Sequence, residues 1–178
     1  VGATQLGTAK AKAAAINAIS DQTGVTASAS STLFLDLDFD RDPVAADFNI
    51  NGQNVDISAD DSVADVASAI NSANVGVLAT ASAEGELKLV DVAGGMITIE
   101  MSQNTNFIEA ATDGDNVSIT VNQTIETFGI LTLTDADGGV IKLTDDGVTN
   151  AGLAKLGLEG QSEEEVSSSA GVNVSSLS

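Results

Sequence analysis

The sequence predicts an α+β fold, with short helices packed on antiparallel, meander-like sheets, and three observations carry that prediction. Two alanine-rich stretches have helical spacing, "AKAKAAAINAIS" at 9–20 and "SADDSVADVASAINSA" at 58–73. Runs such as "TLFLDLDFD" (32–40) and "MITIEM" (96–101) alternate apolar and polar residues, as half-buried strands do. Each helical stretch is followed by a short polar gap, a Gly-Val and a strand, so two copies of a helix–turn–strand unit are expected.

Taken in order, the first helix spans 9–20, with Ile16 and Ile19 on one side and Gly24 as its terminator. The strand at 32–40 puts Leu33, Leu35, Leu37 and Phe39 on one face and Asp36, Asp38 and Asp40 on the other. "RDP" (41–43) ends it at Pro43, the only proline. In "DFNINGQNVDI" (47–57), Asn51-Gly52 is a hairpin signal, flanked by Phe48 and Ile50 before it and Val55 and Ile57 after it. The second helix has Ser62 as cap and Asp65 in capping-box position, with Val63, Val66, Ala67 and Ile70 as its apolar stripe.

After that helix, "VGVLATAS" (75–82), "LKLVDV" (87–92) and "MITIEM" (96–101) read as a three-stranded meander joined by "AEGE" and "AGG" turns. "NFIEAA" (106–111) reads as a helical turn. "NVSITVNQTIE" (116–126), "GILTLTD" (129–135) and "VIKLTD" (140–145) read as strands, and "TNAGLAKLGL" (149–158) as a short helix or turn. From "EGQSEEE" onward the chain is polar and Ser-rich, which predicts a tail or a return strand.

Composition narrows the chemistry. The chain has 178 residues, of which 43 % are hydrophobic, enough for one domain or two small ones with real cores. Aromatic residues are all Phe, so the core must come from aliphatic side chains and no base-stacking platform can be built. His and Cys are absent, which removes imidazole acid–base catalysis, thiol nucleophiles, disulfides and the common zinc ligands. A net charge of −20 repels nucleic acid and anionic lipid, so neither nucleic acid nor membrane is expected as a partner. No apolar run has bilayer-spanning length. The first residue is Val1 rather than Met, and the expectation is a piece excised from a longer chain.

Carboxylates are the only candidate site residues. Asp36, Asp38, Asp40 and Asp42 recur at every second position, as at the start of a calcium loop. Arg41 stands where such a loop needs Gly, and Leu37 and Phe39 look like core, so a strand with one acidic face is the expectation. "TDADGG" (134–139) and "TDGD" (112–115) are turn chemistry. The pairs Glu84 and Glu86, and Asp60 and Asp61, fall in turns or at helix starts. Ser has neither a His partner nor a Gly-x-Ser-x-Gly elbow. No catalytic, cofactor-binding or metal residue is therefore assigned, no cofactor is expected, and the chain is read as no enzyme. Sequons at Asn116, Asn122 and Asn173 are near chance in so Ser- and Thr-rich a chain.

The repeated phrase is the informative feature. "AAINAISDQTGVTASAS" (14–30) and "FNINGQNVDISADDSVADVASAIN" (48–71) followed by "VGVLATASAEGELKLVD" (75–91) resemble the IN-type motif of bacterial flagellins and flagellar hook-associated proteins. In those proteins an "ING" hairpin, an "AIN" helix and a "GV-A" strand recur in the outer domains. "ETFGILTLTDADGGVIKLT" and "LAKLGL" are similar to the segment by which flagellin outer domains return toward the filament core. Flagellins also have long heptad-rich end helices that build that core, and these have no counterpart here.

The resemblance thus implies the outward-facing variable region of an extracellular flagellar filament subunit. It further implies neighbouring flagellin subunits as partners, O-linked glycans on Ser or Thr, and a role in motility and antigenic surface. The layout expected is a discontinuous inner domain, 1–45 plus 117–178, carrying an inserted tip domain, 46–116. Two alternatives stand beside it: a domain of a hook-associated or cap protein, and an extracellular calcium-dependent adhesion module using the acidic strand.

Overall fold

The computed structural model describes residues 8–38, 47–58, 61–101, 107–122, 124–143 and 164–167. The fold is α+β with antiparallel pairing throughout. The chain forms two compact units, one of 1–30, 93–95 and 129–178, the other of 31–92 and 96–128. One strand, β1 (Val25–Leu37), begins in the first unit and ends in the second. Its odd-numbered residues turn inward along the whole length, small near the start and large and fully buried at Leu33 and Leu35.

In the first unit, α1 (Ala9–Asn17) is capped by Thr8, whose hydroxyl accepts from the Ala11 amide at 3.3 Å. It buries Ala9 and Ala13 with Ile16 against Leu131, Leu133 and Ile141. The helix stops at Asn17, short of the expected residue 20. The Ser20 hydroxyl donates to the Asn17 carbonyl at 2.9 Å, competing for a group that helix continuation would use. Ile19 consequently leaves the stripe and is 47 % exposed. A further turn, α2 (Ser20–Thr23), closes on Gly24 at φ 70°, whose amide donates to the Ser20 carbonyl at 2.8 Å.

The start of β1 pairs with β10 (Ile130–Asp135), setting Ala27 opposite Leu133 and Ser30 opposite Ile130. β11 (Val140–Leu143) pairs with β12 (Glu164–Ser167), so the polar C-terminal stretch does contain a return strand. Gly94 packs against Ala29 so closely that a Cβ on it would collide with the Ala29 side chain and lie 2.9 Å from its carbonyl carbon. The Gly94 carbonyl accepts from the Lys10 amide at 3.0 Å.

The second unit contains two sheets. One has the order β4 (Leu78–Ala81), β5 (Glu86–Asp91), the second part of β1, β7 (Ile108–Asp113) and β8 (Ser118–Ile119). The other has the order β3 (Gln53–Asp56), β2 (Asp47–Ile50), β6 (Ile97–Met101) and β9 (Thr124–Thr127). Both sheets and α3 (Val63–Ala73) feed one core that includes Leu33, Leu87, Phe48, Ile99 and Ile70. Phe48 and Phe107 meet edge to face, centroids 5.9 Å apart.

Three local expectations are corrected. β4, β5 and β6 are not a meander, because β5 pairs with β1 while β6 pairs with β2 and β9 in the other sheet. "NFIEAA" is not helical, since Ile108 begins β7 opposite Leu37. The stretch 116–126 is two strands, β8 and β9, separated where Asn122 Oδ1 accepts from the Thr124 amide at 2.9 Å. The expectations for Phe39, Asp40, Asp42, Pro43, Asp60, the 149–158 segment and Asn173 lie outside the described residues.

Candidate functional site

Of the alternating carboxylates Asp36, Asp38, Asp40 and Asp42, the first two lie within the described residues. Asp36 is exposed on β1, and no group of three or more His, Cys, Asp or Glu side chains is placed to hold a metal ion among the described residues. Several carboxylates instead organise turns. Asp113 Oδ1 accepts from the Asp115 and Val117 amides at 3.0 and 2.9 Å. Asp135 Oδ1 accepts from the Asp137 amide at 2.8 Å, and Asp61 Oδ2 from the Ser58 amide at 2.7 Å. Glu84 and Glu86 flank the Gly85 turn, where both of their amides donate to the Ser82 hydroxyl. Side-chain acceptors of this kind hold chain reversals by capping backbone N–H groups.

α3 starts on the predicted capping box. The Asp65 amide donates to Ser62 Oγ at 3.3 Å, and the Ser62 amide donates to Asp65 Oδ2 at 2.9 Å. The Ser62 hydroxyl also donates to Asp65 Oδ2 at 2.6 Å. That hydroxyl first, and the Ser62 amide second, hold the Asp65 carboxyl below the usual carboxylate range.

Asparagine, rather than any titratable group, ties the elements together. At the end of α3, Asn71 Nδ2 donates to the Ala79 carbonyl and the Ala79 amide donates to Asn71 Oδ1, both at 2.8 Å. Near the end of α1, Asn17 Nδ2 donates to the Ala27 carbonyl at 2.8 Å, and the Ala27 amide donates to Asn17 Oδ1 at 2.7 Å. A planar side-chain amide carries the donor and acceptor of a peptide unit, so each Asn pairs with one strand residue as a neighbouring strand would. In both copies the clamped Ala lies three residues past a glycine of positive φ, Gly24 at 70° and Gly76 at 87°. The two additional residues of the first copy lie between Asn and Gly, where α2 takes them up.

A third asparagine completes the second unit. Asn51 and Gly52 both have positive φ, 52° and 80°, as the two-residue loop between β2 and β3 requires. The Asn51 amide donates to the Thr98 carbonyl at 2.9 Å, and the Thr98 amide donates to Asn51 Oδ1 at 3.0 Å. Asn51 Nδ2 donates to the Val75 carbonyl at 2.9 Å. The hairpin turn is thereby pinned both to β6 and to the loop that follows α3.

The Asn71–Ala79 and Asn51–Val75 contacts lie in a segment that a known family describes: residues 47–92 match the flagellin hook IN motif. The chain carries that motif over this segment. No curated protein matches it significantly. Flagellins are structural proteins of the extracellular bacterial filament, and the matched motif supports a structural role of that kind. Among the described residues, no helix is long and apolar enough to cross a membrane.

The IN motif is thus a hairpin, a helix and a strand joined by two asparagine side chains, Asn51 and Asn71. No sequence expectation above covers the pairing of Asn17 with Ala27 or of Asn71 with Ala79. The signal was present in the shared spacing of "GVTA" and "GVLA".

Proposed function

We propose that this chain forms the outward-facing part of a flagellin subunit, where it sets the surface charge and antigenic face of a filament that drives swimming. The observation carrying the reading is how the second unit is inserted. The chain leaves the first unit after Ser30, touches it again at 93–95 and re-enters it at Gly129, and Ser30 is paired with Ile130. An element whose two ends leave from one strand pair can be carried by a domain without rebuilding it. This keeps the layout of a discontinuous inner domain with an inserted tip domain, with limits drawn at the compact units rather than at 46 and 116. The net charge of −20 suits a hydrated surface between crowded neighbours. O-linked glycans on exposed Ser and Thr belong to the same reading, which assigns no enzymatic activity. A hook-associated subunit is the second reading, favoured by the description of the matched motif.

The test is made in the full-length gene product. Residues 31–129 are replaced by Asn-Gly, which closes a two-residue hairpin between the paired Ser30 and Ile130; because 93–95 is lost as well, the variant is first checked for folding by protease resistance. The expected result is a filament with a thinner, less acidic outer layer and altered antibody recognition. A protease-resistant, folded variant that builds no filament would overturn the reading. Localisation of the intact protein to the hook–filament junction alone would favour the second.

A further inference from the structure

We infer that Asn51 is a site of self-modification, at which deamidation is held back by the folded IN unit and, once it has occurred, releases the hairpin from the α3–β4 loop. Asn51-Gly52 is the only Asn-Gly step in the sequence. Glycine leaves its own nitrogen unhindered, and here nothing lies within 4 Å of where a Gly52 Cβ would stand.

The reaction needs only water and a base. The Gly52 amide gives its proton to solvent base, and its nitrogen attacks Asn51 Cγ. A C–N bond forms, and Nδ2 leaves with a proton as ammonia. The resulting five-membered imide is opened by water at either carbonyl, giving aspartate or β-linked isoaspartate. No electron donor or acceptor is involved.

The fold opposes the first step. To reach the Gly52 nitrogen, the Asn51 side-chain amide must rotate away from both partners, breaking the bonds to the Val75 carbonyl and from the Thr98 amide. The reaction therefore proceeds from an opened turn. The product cannot return to the same contacts. A carboxylate oxygen in place of Nδ2 has no proton for the Val75 carbonyl, so two acceptors would face each other across the 2.9 Å that a hydrogen bond now spans. The isoaspartate product also adds a backbone methylene to a loop whose register, Ile50 opposite Gln53, leaves room for two residues only.

The experiment incubates the intact chain in mildly alkaline buffer, with and without urea at an unfolding concentration. Modification is located by peptide mass mapping. Mass gain at Asn51 is expected in both samples, slower by roughly tenfold or more in the native one, as the two bonds must open first. The modified fraction, separated by anion exchange, is expected to melt below the unmodified chain. Equal rates with and without urea would overturn the protection. An unmodified Asn51 in urea would overturn the site, and equal melting temperatures would overturn the release of the hairpin.

Discussion

Asn17 and Asn71 make the same pair of hydrogen bonds, yet the helices that carry them rest on different foundations. α3 sets Val66, Ala67 and Ile70 into a core of Leu, Ile and Phe side chains drawn from two sheets. α1 sets Ala9 and Ala13 against a small cluster of Leu131, Leu133 and Ile141, with Ile16 only partly buried. The Asn71 bonds are partly buried, whereas those of Asn17 are exposed to water. A hydrogen bond that water can replace adds little net stability, while an abandoned buried donor or acceptor costs its full desolvation. The repeated phrase is therefore one connection with two different strengths. Its spacing specifies which residue is clamped, and the surrounding core specifies how much the clamp contributes.

The largest expected effect separates the two cores. Ile70→Ala removes a side chain with no exposure and should cost about 2–5 kcal/mol, whereas Ile16→Ala should cost about 1 kcal/mol because Ile16 is already partly solvated. Urea titration of each variant measures both, and equal losses would erase the contrast. Next comes Gly94→Ala, which drives a Cβ into Ala29 and forces an L side chain to φ 71°. A loss of about 2 kcal/mol or more is expected in the first unit, despite its thinner core.

The clamps themselves come third. Asn71→Ala should cost about 2 kcal/mol and Asn17→Ala about 1 kcal/mol or less, since only the former strands partly buried groups. Hydrogen exchange gives a site-specific reading. The Ala79 amide should lose protection in the first variant, and the Ala27 amide in the second.

The smallest effect concerns pH. α1 has no acidic residue in its first turn, while α3 has Asp65, whose folded-state pKa is depressed by the Ser62 hydroxyl and amide. Stability from that depression is present in full above the carboxylate's unfolded pKa and is lost as pH falls through the lower folded value. Ser62→Ala should lower stability at neutral pH and progressively less in acid, with Thr8→Ala showing a pH-independent loss. Parallel pH profiles for the two variants would remove this distinction between the copies.

Local signals in the sequence survive into the structure where a few neighbouring residues decide the outcome. The Ser62–Asp65 box, the Val66–Ile70 stripe, the Asn51-Gly52 hairpin and the Leu33–Leu37 alternation are of this kind. Partner choice is different. "MITIEM" has the same alternation whether it joins β5 or β2, so periodicity alone could not send it to the second sheet. Nor could spacing show that Gly94 meets Ala29, far away in sequence, or that compactness divides the chain after Ser30, inside a continuous strand. Of the connecting site, the repeated helix–turn–strand phrase was legible. The clamps themselves were not, although the shared Gly-Val-x-Ala spacing sets the clamped alanine at the same step past the glycine in both copies.

The placement of α2 has a practical consequence for finding relatives. In both copies the distance from glycine to clamped alanine is the same, and the length variation lies wholly between asparagine and glycine. A gap-free pattern built on the shorter copy would pass over the longer one. A recogniser with a rigid Gly-Val-x-Ala word and an elastic spacer back to the asparagine would read both, and would spell out further copies in chains where insertions have accumulated at that one tolerant position.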